Sequence, residues 1–138
     1  MSDALVYLRE RQENGGFNRA HGLRGLTVRE GYAEILLPPS NDILNPLGNV
    51  HGGAIYSLCD VAAGTAGASH GRVGVTLSAS INYLRPGYAG EPLTAVTREV
   101  KCGKQTAVYE VDVTQGDRLI ATAMFTMYYV ERPLESLS

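Results

Sequence analysis

The second half of the chain alternates apolar and polar residues with a period of two. Between 75 and 83 the odd positions are apolar and the even positions are polar. This is the pattern of a β-strand with one buried face. Five further strands are predicted where apolar and β-branched residues lie between turn residues: 23–28, 32–37, 93–100, 106–114 and 119–130. Tight turns between neighbouring strands indicate antiparallel pairing.

Two segments show helical patterns instead. Residues 3–12 are predicted to form a helix with Ser2 as its N-cap, ended by the Asn-Gly-Gly of 14–16. Residues 53–68 consist of small and apolar residues without a polar face, so this helix should be buried on most sides. One long helix packed on an antiparallel sheet is an α+β architecture.

The length of 138 residues suits a single domain, 1–138. Within it we expect 1–16 to be an N-terminal helix with its cap and 133–138 to be a frayed tail. The net charge of −2 argues against a nucleic-acid surface. No apolar run is long enough to span a bilayer, and the first residues do not have the pattern of a signal peptide. We therefore expect a cytoplasmic protein whose Cys59 and Cys102 are reduced thiols.

Asp60 is the one charged residue between positions 52 and 69. No Lys or Arg lies one helical turn away, so a buried carboxylate here should have a raised pKa or be held by hydrogen-bond donors. Both situations are typical of catalytic groups. The alternative is structural, with Asp60 facing a solvent cleft or bonding Ser57 or a distant side chain.

The loop before this helix, residues 45–53, is rich in Asn and Gly. It leads into a helix N-terminus, where backbone N–H groups have no intrahelical acceptor and the helix dipole favours negative charge. Gly52 and Gly53 would let a substrate carbonyl approach the backbone closely, as in an oxyanion hole. Alternatively, the glycines form a sharp turn and His51 packs or caps the helix.

The sequence does not favour a metal or a cofactor. The histidines His21, His51 and His70 lack the spacing of metal ligands. The nucleophile pattern G-x-S-x-G and the dinucleotide pattern G-x-G-x-x-G do not occur. We therefore predict no metal site and no bound cofactor.

Three features together resemble the hotdog-fold thioesterases of the phenylacetyl-CoA (PaaI-like) type. They are N-P-L-G-N-V-H-G-G-A, an Asp nine residues after its His, and G-V-T-L-S-A-S-I-N-Y-L-R-P-G. The likeness extends over 17–129. It implies a long helix wrapped by an antiparallel sheet, dimers joined at their sheet edges, and a homotetramer made of two dimers. It also implies an acyl-CoA substrate, bound at sites shared between subunits, and a role in phenylacetate degradation.

The resemblance also implies roles for individual residues. Asp60 would face the 45–53 loop of the partner and act as general base or as nucleophile. The Gly52 N–H would polarise the thioester carbonyl, with His51 beside it, and Asn45 would orient the water or the carbonyl. Ser78 would hold the attacking water. The residues expected to contact the CoA phosphates are Arg85, Gly103, Lys104 and Thr106. Those expected to contact the acyl part of the substrate are Ile43, Leu44, Leu47, Gly53, Tyr56 and the partner's Ala63.

Two other functions fit parts of the pattern. A hotdog enoyl-CoA hydratase would use a paired Asp and His, but here His51 precedes Asp60 rather than following it. A non-catalytic acyl-CoA binding module would tolerate loss of the acid. The substitution Asp60→Asn separates a binding module, which keeps its function, from either enzyme.

Overall fold

The computed structural model describes residues 3–11 and 15–134, in which six strands form one antiparallel sheet. The spatial order of the strands is β1-β2-β4-β5-β6-β3. The strands are β1 Arg24–Arg29, β2 Tyr32–Leu37, β3 Arg72–Tyr83, β4 Leu93–Cys102, β5 Thr106–Gln115 and β6 Arg118–Pro133. The helices are α1 Asp3–Arg11, α2 Gly16–Ala20 and α3 Gly52–Ala68, with a 3-10 turn at Asn41–Ile43.

The long helix α3 packs on one face of the sheet. Its side chains are small or apolar on most of its circumference, so it can sit against the strands without burying charge. Leu58, Cys59 and Ala62 are fully buried there, and the sheet contributes the rings of Tyr109 and Phe125. Burying each large apolar side chain stabilises the fold by about 1.5–3 kcal/mol. Leu58→Ala would leave a cavity and cost about 2–5 kcal/mol.

A bulge in the edge strand β3 changes which residues face α3. The register with β6 shifts between Thr76 and Ser78, which leaves Leu77 as the extra residue. Thr76 pairs with the buried Met127 and therefore faces α3. After the bulge, Ala79 pairs with the buried Phe125, so odd positions face the helix.

The predicted single buried face of this strand is therefore wrong before the bulge. Val75 is 50% exposed and Leu77 is 61% exposed, although both belong to the apolar set of the alternating pattern. Both lie at a free edge of the sheet in one copy of the chain.

The other predicted elements are confirmed, with strand ends shifted by a few residues. The sequence did not indicate α2 or the 3-10 turn at 41–43. It also did not indicate that β3 lies beside β6 rather than beside β4. The predicted N-cap Ser2, the last residue (12) of the predicted N-terminal helix, residue 14 of the predicted helix stop and residues 135–138 of the tail lie outside the described residues. None of the helices in the described part is long and apolar enough to cross a membrane.

Candidate active site

Asp60 lies two turns into α3 and is partly exposed. The Thr76 hydroxyl donates a hydrogen bond of 2.5 Å to its Oδ1 atom. The expectation that a donor holds this carboxylate is therefore confirmed. The alternative partner, Ser57, donates instead to the Gly53 carbonyl at 2.8 Å.

The structure corrects the prediction for Ser78. Ser78 pairs with Thr126, which lies between the buried residues Phe125 and Met127 and therefore points to the face of the sheet away from α3. The hydroxyl beside the acid belongs to Thr76 because the bulge reverses the alternation between these two positions. Thr76 and Ser78 belong to the same polar set of an unbroken alternation, so the sequence pattern could not show that a bulge turns only Thr76 towards the acid.

A cavity of about 400 Å³ opens beside Asp60. Its apolar lining comes from the N-terminal segment, α3 and the sheet, and includes Leu8, Val61, Val73 and Met127. Gly64, one turn after Asp60 on α3, also lines it, and a Cβ atom at Gly64 would lie 3.9 Å from Met127 Cε. A side chain longer than a methyl group at this position would therefore reduce the cavity.

A second, smaller cavity also reaches Asp60. It has a volume of about 200 Å³ and is lined by Phe17, Tyr56 and Ser57. The predicted substrate contact Tyr56 thus lies beside the acid, and its ring packs 5.3 Å from the ring of Phe125.

The N-terminus of α3 leaves one backbone donor available. His51 is the N-cap, and its Nδ1 accepts a 2.8 Å hydrogen bond from the Gly53 N–H. Among the described residues the Gly52 N–H has no acceptor, as expected at the first position of a helix. The structure therefore gives His51 a capping contact and leaves Gly52, rather than Gly53, as the available donor.

Tyr83 supports the same helix end. Its hydroxyl donates a 2.9 Å hydrogen bond to the Gly52 carbonyl. Burial, together with the neighbouring Cys59 and Tyr56, raises the pKa of Tyr83, so the hydroxyl keeps its proton. Tyr83 lies in the N-Y-L-R-P motif, but its residue type gave no reason to expect this contact from the sequence.

Asn45 shapes the loop that leads to Gly52. Its Oδ1 accepts hydrogen bonds from the backbone N–H groups of Leu47, at 3.0 Å, and Asn49, at 3.1 Å. A cavity of about 320 Å³ is lined by Asn45, Gly52 and Arg85 among others. The structure therefore brings together the loop residues that the sequence selected.

The carboxylate and the loop are separate within one copy of the chain. Gly52 and Asp60 are eight residues apart on α3, which corresponds to a rise of about 12 Å. A base must lie within about 3 Å of its water, and an oxyanion donor within about 3 Å of the carbonyl oxygen. One chain therefore cannot place both groups on the same thioester.

The residues predicted for the CoA phosphates are also separate in one chain. Arg85 lies beside Leu119 and donates a 2.8 Å hydrogen bond to its carbonyl. The turn at 103–106 lies beside Tyr129, whose N–H donates to the Gln105 carbonyl. About ten residues of β6 separate these points, which corresponds to about 30 Å.

One prediction for the acyl pocket is corrected, and another stays a prediction. Ala63 has 0% exposure in the core of its own chain, so it cannot reach a partner's pocket. Leu47 is 84% exposed at the tip of its loop in one copy of the chain, so its contact with the acyl group stays a prediction. Ile43 and Leu44 do line a cavity, of about 230 Å³, together with Gly53.

Cys59 does not have the properties of a nucleophile. Burial, with smaller contributions from the carboxylates of Asp60 and Asp112, raises the pKa of its thiol to about 12. A buried thiol that keeps its proton is unreactive. Asp60 therefore has no competing nucleophile next to it on α3.

Residues 47–122 match the family model of the thioesterase superfamily. The chain belongs to this superfamily. The matched segment begins within the loop, at residue 47, covers α3 and β3 to β5 and continues into β6. The protein is therefore a thioester hydrolase, and its antiparallel sheet around a central helix is the hotdog fold.

Individual relatives agree with this assignment. The acyl-coenzyme A thioesterase PaaI of Escherichia coli is 36% identical over 101 residues, which are 73% of this chain and 72% of the relative. The structure of the E. coli PaaI protein from the phenylacetic acid degradation operon superposes with a TM-score of 0.86 at 28% identity. That superposition covers 94% of this chain and 98% of the other.

A thioesterase protein from Streptococcus pneumoniae TIGR4, solved with coenzyme A, has a TM-score of 0.77 and 36% identity, with coverage of 80% and 90%. Solved variants of that protein replace an aspartate and a threonine, sixteen positions apart, by alanine. Asp60 and Thr76 are likewise sixteen positions apart in this thioesterase.

Proposed function

We propose that this thioesterase hydrolyses acyl-CoA at sites shared by two copies of the chain. Asp60 of one copy would supply the base, and the Gly52 N–H of the other would polarise the thioester carbonyl. The observation that carries the proposal is the Asp60–Thr76 hydrogen bond at a cavity mouth. The relatives of the PaaI type, one of them solved with coenzyme A, support the substrate class.

The free edge of β3 offers a way to join two copies. Edge strands with exposed apolar residues, here Val75 and Leu77, tend to pair with another strand. Two copies of β3 would run antiparallel about a two-fold axis, extending the sheet through both subunits. The further assembly of two dimers into a tetramer remains a prediction, as do the cytoplasmic location and the link to phenylacetate.

One register of this pairing would complete the site. With the axis beside Ser80, the bulge at Thr76 and Leu77 would lie opposite the partner's Tyr83. Thr76 and Tyr83 both face the helix layer, as directly opposed residues in a sheet must. Because Tyr83 holds the Gly52 carbonyl, this register brings the partner's Gly52 towards Thr76 and its Asp60 partner.

The same register supports the predicted phosphate contacts. The end of β3 in one copy, near Arg85, would lie beside the start of β3 in the other. There Arg72 donates hydrogen bonds to the carbonyls of Gly103 and Lys104. Arg85 and the partner's Lys104 would thus approach each other, and both are suited to bind phosphate.

In the hydrolysis, one Asp60 oxygen takes a proton from water while the Thr76 hydroxyl holds the other oxygen. The hydroxide adds to the thioester carbon, and the carbonyl oxygen gains negative charge against the Gly52 N–H. The C–S bond then breaks, and the proton on Asp60 passes to the departing sulfur, which releases CoA thiol and the free acid and leaves Asp60 ionised again. If Asp60 attacks directly, a mixed anhydride forms first and water cleaves it.

The acyl group would occupy the cavity of about 400 Å³ beside Asp60. The apolar part of its lining, which includes Val61 and Met127, would contact an aryl group or a medium-length acyl chain, and the remaining lining is polar. The loop cavity lined by Asn45 and Gly52 would receive the CoA side of the thioester. Asn45, whose Oδ1 is engaged by the loop backbone, would orient the water or the carbonyl with its amide nitrogen.

The first experiment measures thiol release from aryl, short, medium and long acyl-CoAs. Asp60→Asn should reduce turnover by at least about a hundredfold, the effect typical of losing a general base. Asp112→Asn is the matched control, because Asp112 also accepts a threonine hydrogen bond, from Thr122 at 3.0 Å, but on the exposed face of the sheet. Equal turnover in both variants would refute the role of Asp60.

Two rival functions are tested if the wild type releases no thiol. Enoyl-CoA hydration is then assayed, and binding of acyl-CoA without any turnover would indicate a binding module.

The shared site is tested by mixing two inactive variants. Asp60→Asn keeps the loop intact, and Gly52→Pro removes the N–H but keeps the acid. Random mixing makes half of the dimers mixed, and each mixed dimer has one intact site, so about a quarter of the wild-type activity should return. No recovery after refolding the mixture together would show that each site belongs to one chain.

The register is tested with single cysteines. Ser80→Cys would place two thiols opposite each other at the axis, with Cα atoms about 5 Å apart, within the range for a disulfide. Ser78→Cys, on the same face of the same strand, would leave its thiols about 13 Å apart. Cross-linking of Ser78→Cys but not of Ser80→Cys on a non-reducing gel would reject this register.

A further inference from the structure

Three side chains that can bind a metal meet near the C-terminal end of α3. His70 follows the helix, and Glu99 and Cys102 lie in β4. One ligand atom of each lies within 4.8 Å of the others, and His70 Nε2 is 2.6 Å from Glu99 Oε2. A nitrogen, an oxygen and a sulfur ligand together are typical of Zn²⁺, whereas Mg²⁺ and Ca²⁺ prefer oxygen alone.

Each of these side chains also has an outer partner. His70 Nδ1 lies 3.4 Å from a Glu30 carboxylate oxygen. The Tyr109 hydroxyl donates a 2.7 Å hydrogen bond to Glu99, and the Tyr129 hydroxyl lies 3.7 Å from the Cys102 sulfur. Metal-binding histidines commonly contact a carboxylate through the second ring nitrogen, and metal-binding carboxylates are themselves hydrogen-bonded. The outer contacts of His70 and Glu99 follow the same arrangement, whereas the Tyr129 hydroxyl donates its proton to the Gly67 carbonyl at 2.9 Å and can only accept from the Cys102 thiol.

A zinc ion would need only a small adjustment of the side chains. Tetrahedral binding at about 2.05 Å places a nitrogen and an oxygen ligand about 3.3 Å apart, so His70 and Glu99 must separate by about 0.7 Å. Cys102 is exposed at the end of β4 and can turn towards them. Glu30, Glu99 and a Cys102 thiolate outweigh the positive charge of the nearby Arg72.

We propose that His70, Glu99 and Cys102 bind one Zn²⁺ ion, with water at the fourth position. The ion would fasten the end of α3 to β4, and Glu30 would connect it to the β1–β2 turn. His70 lies ten residues beyond Asp60, so the ion would be too far away to take part in hydrolysis. Because an ion bound only by the folded chain stabilises it, zinc should raise the unfolding temperature.

The test uses the full chain after treatment with a chelator. Calorimetric titration with Zn²⁺ should give one ion per chain, and Co²⁺ should give a thiolate-to-metal absorption band. Cys102→Ser should remove that band. Glu30→Gln, at a carboxylate that is 78% exposed, should weaken zinc binding by about ten- to a hundredfold through the outer contact alone.

His21→Gln is the control, because His21 lies in the segment after α2 and outside this cluster. It should leave zinc binding unchanged, and zinc should raise the unfolding temperature of the control and the wild type but not of Cys102→Ser. The proposal would be overturned if the wild type showed no saturable zinc binding. It would also be overturned if Cys102→Ser and Glu30→Gln bound zinc as tightly as the wild type does. Loss of acyl-CoA turnover on chelation would overturn the purely structural role.

Discussion

The backbone donor at Gly52 can be removed with little change to the helix. Proline lacks the N–H and is well tolerated at the first position of a helix. The preceding residue, His51, already has φ −61° and ψ 136°, the extended conformation that proline requires before it. We therefore expect Gly52→Pro to keep α3 and to lower kcat by about 100- to 1000-fold, the effect of losing one oxyanion donor, about 2.7–4 kcal/mol.

Gly52→Ala is the matched control because it adds a Cβ atom and keeps the N–H. That Cβ would lie 3.3 Å from Tyr83 Cζ and 3.4 Å from its hydroxyl oxygen, so the ring must move by a few tenths of an ångström. Both variants require this movement, so the difference between their kcat values reports on the loss of the N–H group together with the proline Cδ that replaces its hydrogen.

The assay is the initial rate of thiol release across a range of acyl-CoA concentrations, with the unfolding temperature measured for each variant. A large fall in kcat for Gly52→Pro, with Gly52→Ala within about tenfold of wild type, is the expected result. Equal kcat values in the two variants would refute the argument that the Gly52 N–H stabilises the developing charge. A strongly lowered unfolding temperature for Gly52→Pro would show instead that the helix end was disturbed.

Four further predictions concern specificity, stability, thiol reactivity and the pH dependence of folding. Gly64→Leu should fill the cavity beside Asp60 and lower kcat/KM for long or aryl acyl-CoAs but not for the shortest acyl-CoA. Gly64→Ala is the control, and an unchanged substrate profile in Gly64→Leu would show that the acyl group binds elsewhere. Thr97→Val should lower the free energy of unfolding in urea by about 1–3 kcal/mol, because it leaves the buried Ala33 N–H without its 2.9 Å acceptor, and Thr97→Ser should recover most of it. A thiol reagent at neutral pH should modify Cys102 and spare the buried Cys59, as mass spectrometry of the labelled chain would show. Since the folded chain keeps the Cys59 proton up to a pKa of about 12 and the unfolded chain loses it near 9, this thiol should make the fold less stable as pH rises through that interval.

Local patterns in the sequence were sufficient to predict most of the fold. The period-two segments and the tight turns between them identified the strands, because side chains alternate between the two faces of a sheet. A different pattern predicted α3: a continuous run of small and apolar residues without a polar face, which indicates a buried helix. Within that helix Asp60 stood out, since an acid there needs a partner or a function.

The site loop was also predictable from local chemistry. Asn45 and Gly52 lie in a short segment at a helix start, where free N–H groups and conformational freedom follow from the residue types. The structure places both of them on one cavity. Their role in hydrolysis remains a prediction, which the Gly52 variants test.

The tertiary structure alone decided which hydroxyl meets the acid and which residues form the second cluster. Thr76 rather than Ser78 reaches Asp60, because a bulge depends on pairing with β6, about fifty residues away in sequence, and it reverses every face assignment before it. His70 and Glu99 come together, although no sequence spacing relates them, because the end of α3 packs against β4. Periodicity reports the face that a residue occupies within its own element, whereas strand order and bulges are set by packing between distant segments.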